Sequence, residues 1–218
     1  MIKLIAFDMD GTLTNSETII STVANRLLAH YGHPPLPRPA IIRHVGFGAK
    51  NLIRGVMQEA GLTVDADEAY PIYDSIYNQA DIALVDVYPD VKETLAALRA
   101  QGVWTVVLSN RPHHQTVRIV NAVLPDALDE VYGEREGIPM KPDPTALNQI
   151  MAANAVKPEE CLYVGDMQFD IKVAQNAKVR SVGCLWGFGG TEQVGCADYV
   201  LNQPSDLLTV VQELNAEN

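Results

Sequence analysis

The chain has 218 residues, 47% of them hydrophobic, enough to bury a sizeable core and to exclude a disordered polymer. Its formal charge of −11 repels a phosphate backbone, and no run of Lys or Arg offers a local exception, so no nucleic-acid partner is expected. Cys161, Cys184 and Cys196 are odd in number and sparse, which fits a reducing compartment; with no signal-peptide pattern and no membrane-length apolar run, a cytoplasmic protein without a membrane partner is expected.

Residues 3–7 form a continuous apolar run that ends in Asp8 and Gly11, the pattern of a central parallel strand covered on both faces. The stretch 15–83 has no comparable run. It reads as helices: residues 18–31 carry Ile19, Ile20, Val23, Leu27 and Leu28 at helical spacing, four prolines follow in 32–39, Leu52, Ile53, Val56, Met57 and Ala60 form a second apolar face, and 69–82 supply another helix. Helical periodicity returns at 91–100. Strand-like runs then occur at 104–108, ending in Ser109-Asn110, at 161–164, ending in Gly165-Asp166, and at 180–184. A helix over 145–153 lies between, opened by Asp143 and Pro144. Strands alternating with helices predict an α/β fold, a Rossmann-like doubly wound parallel sheet, with an inserted α-helical cap domain. The expected division is a core of residues 1–14 and 84–218 and a cap of residues 15–83, placed where it could act as a lid over the first strand.

In open α/β sheets ligands bind outside the carboxyl ends of the strands, so Asp8, Asp10, Ser109, Asn110, Asp166 and Asp170 should converge on one crevice, with Lys141 joining from its loop. Crowded carboxylates need a cation, and oxygen ligands in such a crevice favour Mg2+. Two aspartates one residue apart, with the turn at Gly11 between strand and lobe, can divide the labour of phosphoryl transfer. Asp8 is read as the nucleophile and Asp10 as the acid that protonates the leaving alcohol and then the base that activates water. Lys141, Ser109 and backbone N–H groups would neutralise the transferring oxygens.

Phe7-Asp-Met-Asp-Gly-Thr-Leu13, Ser109-Asn110, Lys141-Pro142 and Gly165-Asp166-Met-Gln-Phe-Asp170 resemble, in order and spacing, the four motifs of the haloacid-dehalogenase superfamily. The insertion is placed like the C1 cap of that superfamily, and Trp186-Gly-Phe-Gly-Gly190 and Ala197-Asp198-Tyr199 resemble its phosphoglycolate phosphatase-like branch. This resemblance implies a metal held by Asp8, the backbone carbonyl of Asp10 and Asp166, with support from Asp170. It implies a phosphatase acting on a small phosphorylated metabolite through an aspartyl-phosphate. A β-phosphoglucomutase-type phosphomutase or a pyrophosphatase would use the same aspartates. The chain departs from the branch in having Thr14-Asn15-Ser16 where Val-Asp-Ser is usual, and Ser109-Asn110-Arg111 where Thr-Asn-Lys is usual.

Candidate substrate contacts are Gly11, Asn110, Phe47 in the turn Gly46-Phe47-Gly48, and Lys50 and Arg54, whose four-residue spacing puts them on one helix face to grip a second anionic group. His113-His114 is read as an exposed helix start. A monomer or homodimer is expected. No Cys stands six positions before an Arg, and no His-Glu-x-x-His occurs, which excludes cysteine-phosphatase and zinc-protease chemistry.

Overall fold

A computed structural model describes residues 1–216 of the chain. Its strands are β1 (Leu4–Phe7), β2 (Thr14–Asn15), β3 (Asp86–Val87), β4 (Trp104–Pro112), β5 (Glu130–Glu134), β6 (Cys161–Gly165), β7 (Arg180–Cys184) and β8 (Tyr199–Leu201). Six of them form one sheet in the order β5-β4-β1-β6-β7-β8, with every neighbouring pair parallel. The strand order turns back on itself at β1, which has β4 on one side and β6 on the other. That is the switch point where such sheets open a crevice.

Both faces of β1 are covered, which is why its sequence is apolar without alternation. Ile5 and Phe7 join a core with Val91, Leu95 and Leu98 of α5 (Val91–Ala100) and Val211 of α10 (Asp206–Ala216). Leu4 and Ala6 face the other way, towards Leu147 and Ile150 of α7 (Thr145–Ala153) and Val173 of α8 (Gln168–Asn176). The N–H of Thr145 is taken by the Asp143 carboxylate at 2.9 Å, which fixes the start of α7.

Between β2 and β3 run α1 (Glu17–His30), α2 (Arg38–Ile42), α3 (Ala49–Glu59) and α4 (Ala66–Asn78). The two strands pair antiparallel, Thr14 with Val87 and Asn15 with Asp86, so the helical insertion leaves and rejoins the sheet through one two-stranded ribbon. Helix α4 starts earlier than its apolar spacing predicts, because Asp65 caps it by accepting the N–H of Asp67 at 2.7 Å. It ends at Asn78, and Ile82–Leu84 forms a separate 3-10 turn. Strands β5 and β8 were not marked by apolar runs. Both lie at sheet edges and are only partly buried, so their composition is mixed. Strand β4 continues past residue 108 to Pro112, with a register shift against β5, so Ser109, Asn110 and Arg111 are buried in the strand's end rather than exposed after it. Among the described residues no helix is long and apolar enough to cross a membrane.

Replacing Ile5, which is fully buried at the centre of the sheet, by Ala should lower the unfolding free energy by about 2–5 kcal/mol, measured by urea denaturation.

Candidate active site

The carboxyl ends of β1, β4 and β6 bring Asp8, Ser109 and Asp166 together, and the first turn of α8 adds Asp170. Asp8, Asp166 and Asp170 each offer an oxygen within 4.8 Å of the others, and all three are buried. Lys141 reaches them from the loop before α7. Its Nζ donates to Asp8 Oδ1 and Asp170 Oδ1, both at 2.7 Å, and its side chain is 2% exposed. Asp166 accepts from Thr12 Oγ1 at 3.1 Å and from the Phe188 N–H at 2.8 Å, and Asp170 accepts from the Met167 N–H at 3.0 Å. Gly11 has φ +91°, and a Cβ there would lie 2.2 Å from an Asp166 oxygen, so the turn after β1 requires glycine.

Burial raises the Asp8 pKa to about 7; Lys141 pulls it down, while Asp170 and Asp10 push it further up. Burial also raises Asp166, and Asp170 and Asp8 add to the shift. Burial alone would lower Lys141, but Asp170 and Asp8 outweigh it and hold the ammonium well above its ordinary pKa. Three carboxylates against one ammonium leave two negative charges over when all are ionised. A hard cation with oxygen ligands fits this donor set.

Asp10 stands apart from that cluster. Both of its carboxylate oxygens accept from Arg111, Nε at 2.8 Å and Nη2 at 3.1 Å, and Ser16 Oγ donates to Oδ1. A cleft opens beside Asp8 and Asp10. Ser109 and Arg111 line it from the sheet, and Val45, Leu52 and Tyr73 line it from the insertion. Lys141, Asp166 and Asp170 do not line it.

The other expected contacts are distributed differently. Asn110 lines the cleft, but its amide is engaged, donating to the carbonyls of Gly46 and Lys141 at 3.0 Å each and accepting the Lys141 N–H at 2.8 Å. Phe47 is 52% exposed and packs edge-on against Phe169, with ring centroids 5.0 Å apart. Lys50 and Arg54 are not brought to the cleft: Lys50 pairs with Asp67 on the surface, and Arg54 bonds to Asn51. Helical spacing put the two on one face but could not show that this face points outwards. His113 and His114 open α6 (His113–Val123), and His114 Nε2 meets Asp74 Oδ1 at 2.7 Å. Arg111, Ser16 and Tyr73 were not singled out from the sequence as site residues. The one available signal was Arg111 standing directly after Ser109-Asn110, where the branch usually has lysine.

A model of the haloacid dehalogenase-like hydrolases matches residues 5–184. The phosphoglycolate phosphatase of Vibrio vulnificus (strain YJ016) is 32% identical over 220 residues, covering 96% of each chain. That of Vibrio parahaemolyticus serotype O3:K6 is 33% identical over 219 residues, again covering 96% of each. A crystal structure from Haemophilus somnus 129pt, described as a predicted phosphoglycolate phosphatase, superposes with a TM-score of 0.88 at 28% identity, covering 96% of this chain and 98% of that one. The chain therefore belongs to the haloacid dehalogenase-like hydrolases. It is an enzyme of the phosphatase kind found among these relatives.

An acid whose folded pKa is raised adds stability while it is protonated and loses that stability as pH rises through the folded value. Without divalent cations, stability should therefore fall between the ordinary Asp pKa of 3.8 and about 7, as Asp8 is forced to ionise. A bound divalent cation favours the ionised ligand and should flatten the slope, giving a larger rise in melting temperature at pH 8 than at pH 5. Scanning calorimetry with chelator and with added cation measures this; equal slopes would remove Asp8 from the ligand set.

Proposed function

We propose that the chain is a magnesium-dependent phosphatase that hydrolyses a small phosphorylated metabolite of the phosphoglycolate type through an aspartyl-phosphate on Asp8. The observation that carries this reading is the pairing of Asp8 with Lys141 at 2.7 Å at the edge of a cleft that Asp10 and Ser109 also line. The phosphoglycolate phosphatases that are similar over nearly the whole chain support the choice of substrate.

Asp8, Asp166 and Asp170 would hold Mg2+, with the Asp10 backbone carbonyl as a further ligand and the Asp10 side chain left to other work. When bound, the ion supplies charge neutralisation at the transferring phosphoryl group. Lys141 holds Asp8 and Asp170 in place as a fixed positive charge, and Ser109 offers a hydroxyl to a phosphoryl oxygen. An Asp8 oxygen attacks phosphorus, the ester P–O bond breaks, and the leaving oxygen takes a proton from Asp10. Asp10 then takes a proton from water, the water oxygen attacks phosphorus, and the Asp8–phosphorus bond breaks to release phosphate. For either transfer the Asp10 carboxylate must exchange an Arg111 contact for the reacting oxygen.

In this reading residues 15–83 serve as a cap over the cleft. Apolar Val45 and Leu52 exclude water, and the ribbon of β2 and β3 is the hinge. The protein acts in the cytoplasm on a soluble small molecule.

Asp8→Asn should abolish phosphate release from 2-phosphoglycolate in the presence of Mg2+. Asp10→Asn should reduce kcat by about 10²–10⁴-fold, the usual worth of acid–base assistance. A malachite-green assay measures both, and wild-type turnover in Asp8→Asn would overturn the mechanism. The same assay across phosphorylated acids, sugars, nucleotides and pyrophosphate tests the substrate class.

A further inference from the structure

Among the described residues Arg111 is the one cation that lines the cleft, and it is buried there. It bridges the two halves of the site: the guanidinium grips Asp10 of the sheet and lies over the ring of Tyr77 in α4, 4.9 Å from its centroid. Asp10 is not its sole support. Nη1 donates to Gln115 Oε1 at 3.3 Å, and Gln115 is held in turn by Nε2 on Asp74 Oδ1 at 2.7 Å, so ring and amide fix the plane of the fork. Of its five N–H groups, Asp10 and Gln115 take three, which leaves donors for a further acceptor.

A planar fork of this kind is matched to a carboxylate, and it already holds one. The held carboxylate is that of Asp10, which has to turn to a reacting oxygen if it is to shuttle a proton. A substrate without a second anion would draw an Asp10 oxygen away and leave the buried guanidinium short of its charged partner, which is costly. A substrate that carries its own carboxylate exchanges one carboxylate for another, keeping Arg111 paired and setting Asp10 free. Asp10 is two residues from Asp8 and shares the cleft with it, so the displacing carboxylate must be only a short chain away from the phosphoryl group. Lys50 and Arg54 offer no alternative, because both are engaged on the outer surface.

We propose that Arg111 is the specificity-determining residue, its guanidinium taking the carboxylate of a short phosphorylated carboxylic acid in exchange for Asp10. This assignment rests on the phosphatase reading for its reaction but not for its binding test. The probes are 3-phosphonopropionate, in which no ester bond can be cleaved, and propylphosphonate, which has the same shape without the carboxylate. Calorimetric titration with Mg2+ present should show wild type preferring the first by about tenfold or more, as expected for a desolvated charge-assisted pair. Arg111→Gln should bring the two within about twofold, and Arg111→Lys, which keeps the charge and loses the fork, should fall between. Arg111→Lys also keeps Asp10 paired and so covers the case in which Arg111→Gln does not fold.

In turnover, kcat/KM for 2-phosphoglycolate relative to ethyl phosphate should drop by the same factor, mostly through KM. A wild type without preference, or a preference that survives Arg111→Gln, overturns the assignment. An equal loss on both esters also overturns it, since Arg111 would then only position Asp10. If wild type cleaves neither ester but still selects the carboxylated phosphonate, the phosphatase reading fails and the Arg111 assignment stands.

Discussion

A single buried ammonium holds the site together. Lys141 Nζ sits between Asp8 and Asp170, and with Asp166 beside them three buried carboxylates crowd the ends of β1 and β6. Like charges at such separations in a low-dielectric interior repel strongly unless each has a partner. The surrounding backbone answers that demand: the N–H groups of Met167 and Phe188 point at Asp170 and Asp166, and glycine occupies positions 11 and 187 where a Cβ would run into Asp166. Asn110 pins the Lys141 backbone from the end of β4, so the lysine is placed by the sheet as well as by its own loop.

Much of this was legible in the sequence because it follows from strand ends. An apolar run closing on Asp8, another closing on Ser109 and a third on Asp166 fix three elements of a parallel sheet, and the sheet itself gathers their ends. Edge strands β5 and β8 were not legible, since half-buried edges do not need a continuous apolar pattern. The direction of side chains within the helical insertion was the larger gap. Lys50 and Arg54 share a face of α3, but periodicity does not say which face, and Leu52, Ile53 and Val56 claim the inner one. The burial of Arg111 depends on a bidentate contact with a residue 101 positions away, which no local pattern encodes.

The seam between insertion and sheet is polar and specific. Asn110 donates to the Gly46 carbonyl, His114 and Gln115 converge on Asp74, and Arg118 donates to the carbonyls of Tyr77 and Ala80. Each such contact adds only about 0.5–1.5 kcal/mol net, because water satisfies either partner when they are apart. The apolar wall of Val45, Leu52 and Tyr73 supplies the dry surface. The seam therefore fixes how the insertion sits against the sheet, while Val45, Leu52 and Tyr73 form the insertion's wall of the cleft.

The ribbon of β2 and β3 has a topological consequence. Thr14 and Val87 are paired neighbours, so everything between them enters and leaves the sheet through points separated by one interstrand spacing, about 5 Å. To the sheet, the whole helical lobe is a loop whose ends are already closed, and the closure entropy of such a loop grows only logarithmically with its length. Lobes of different size and shape can therefore be exchanged at this position without altering the register of β1, β4 or β6. Because Ser16, the first residue beyond the ribbon, donates to Asp10, a lobe exchanged here keeps a direct hold on that carboxylate only where it keeps a hydroxyl at position 16.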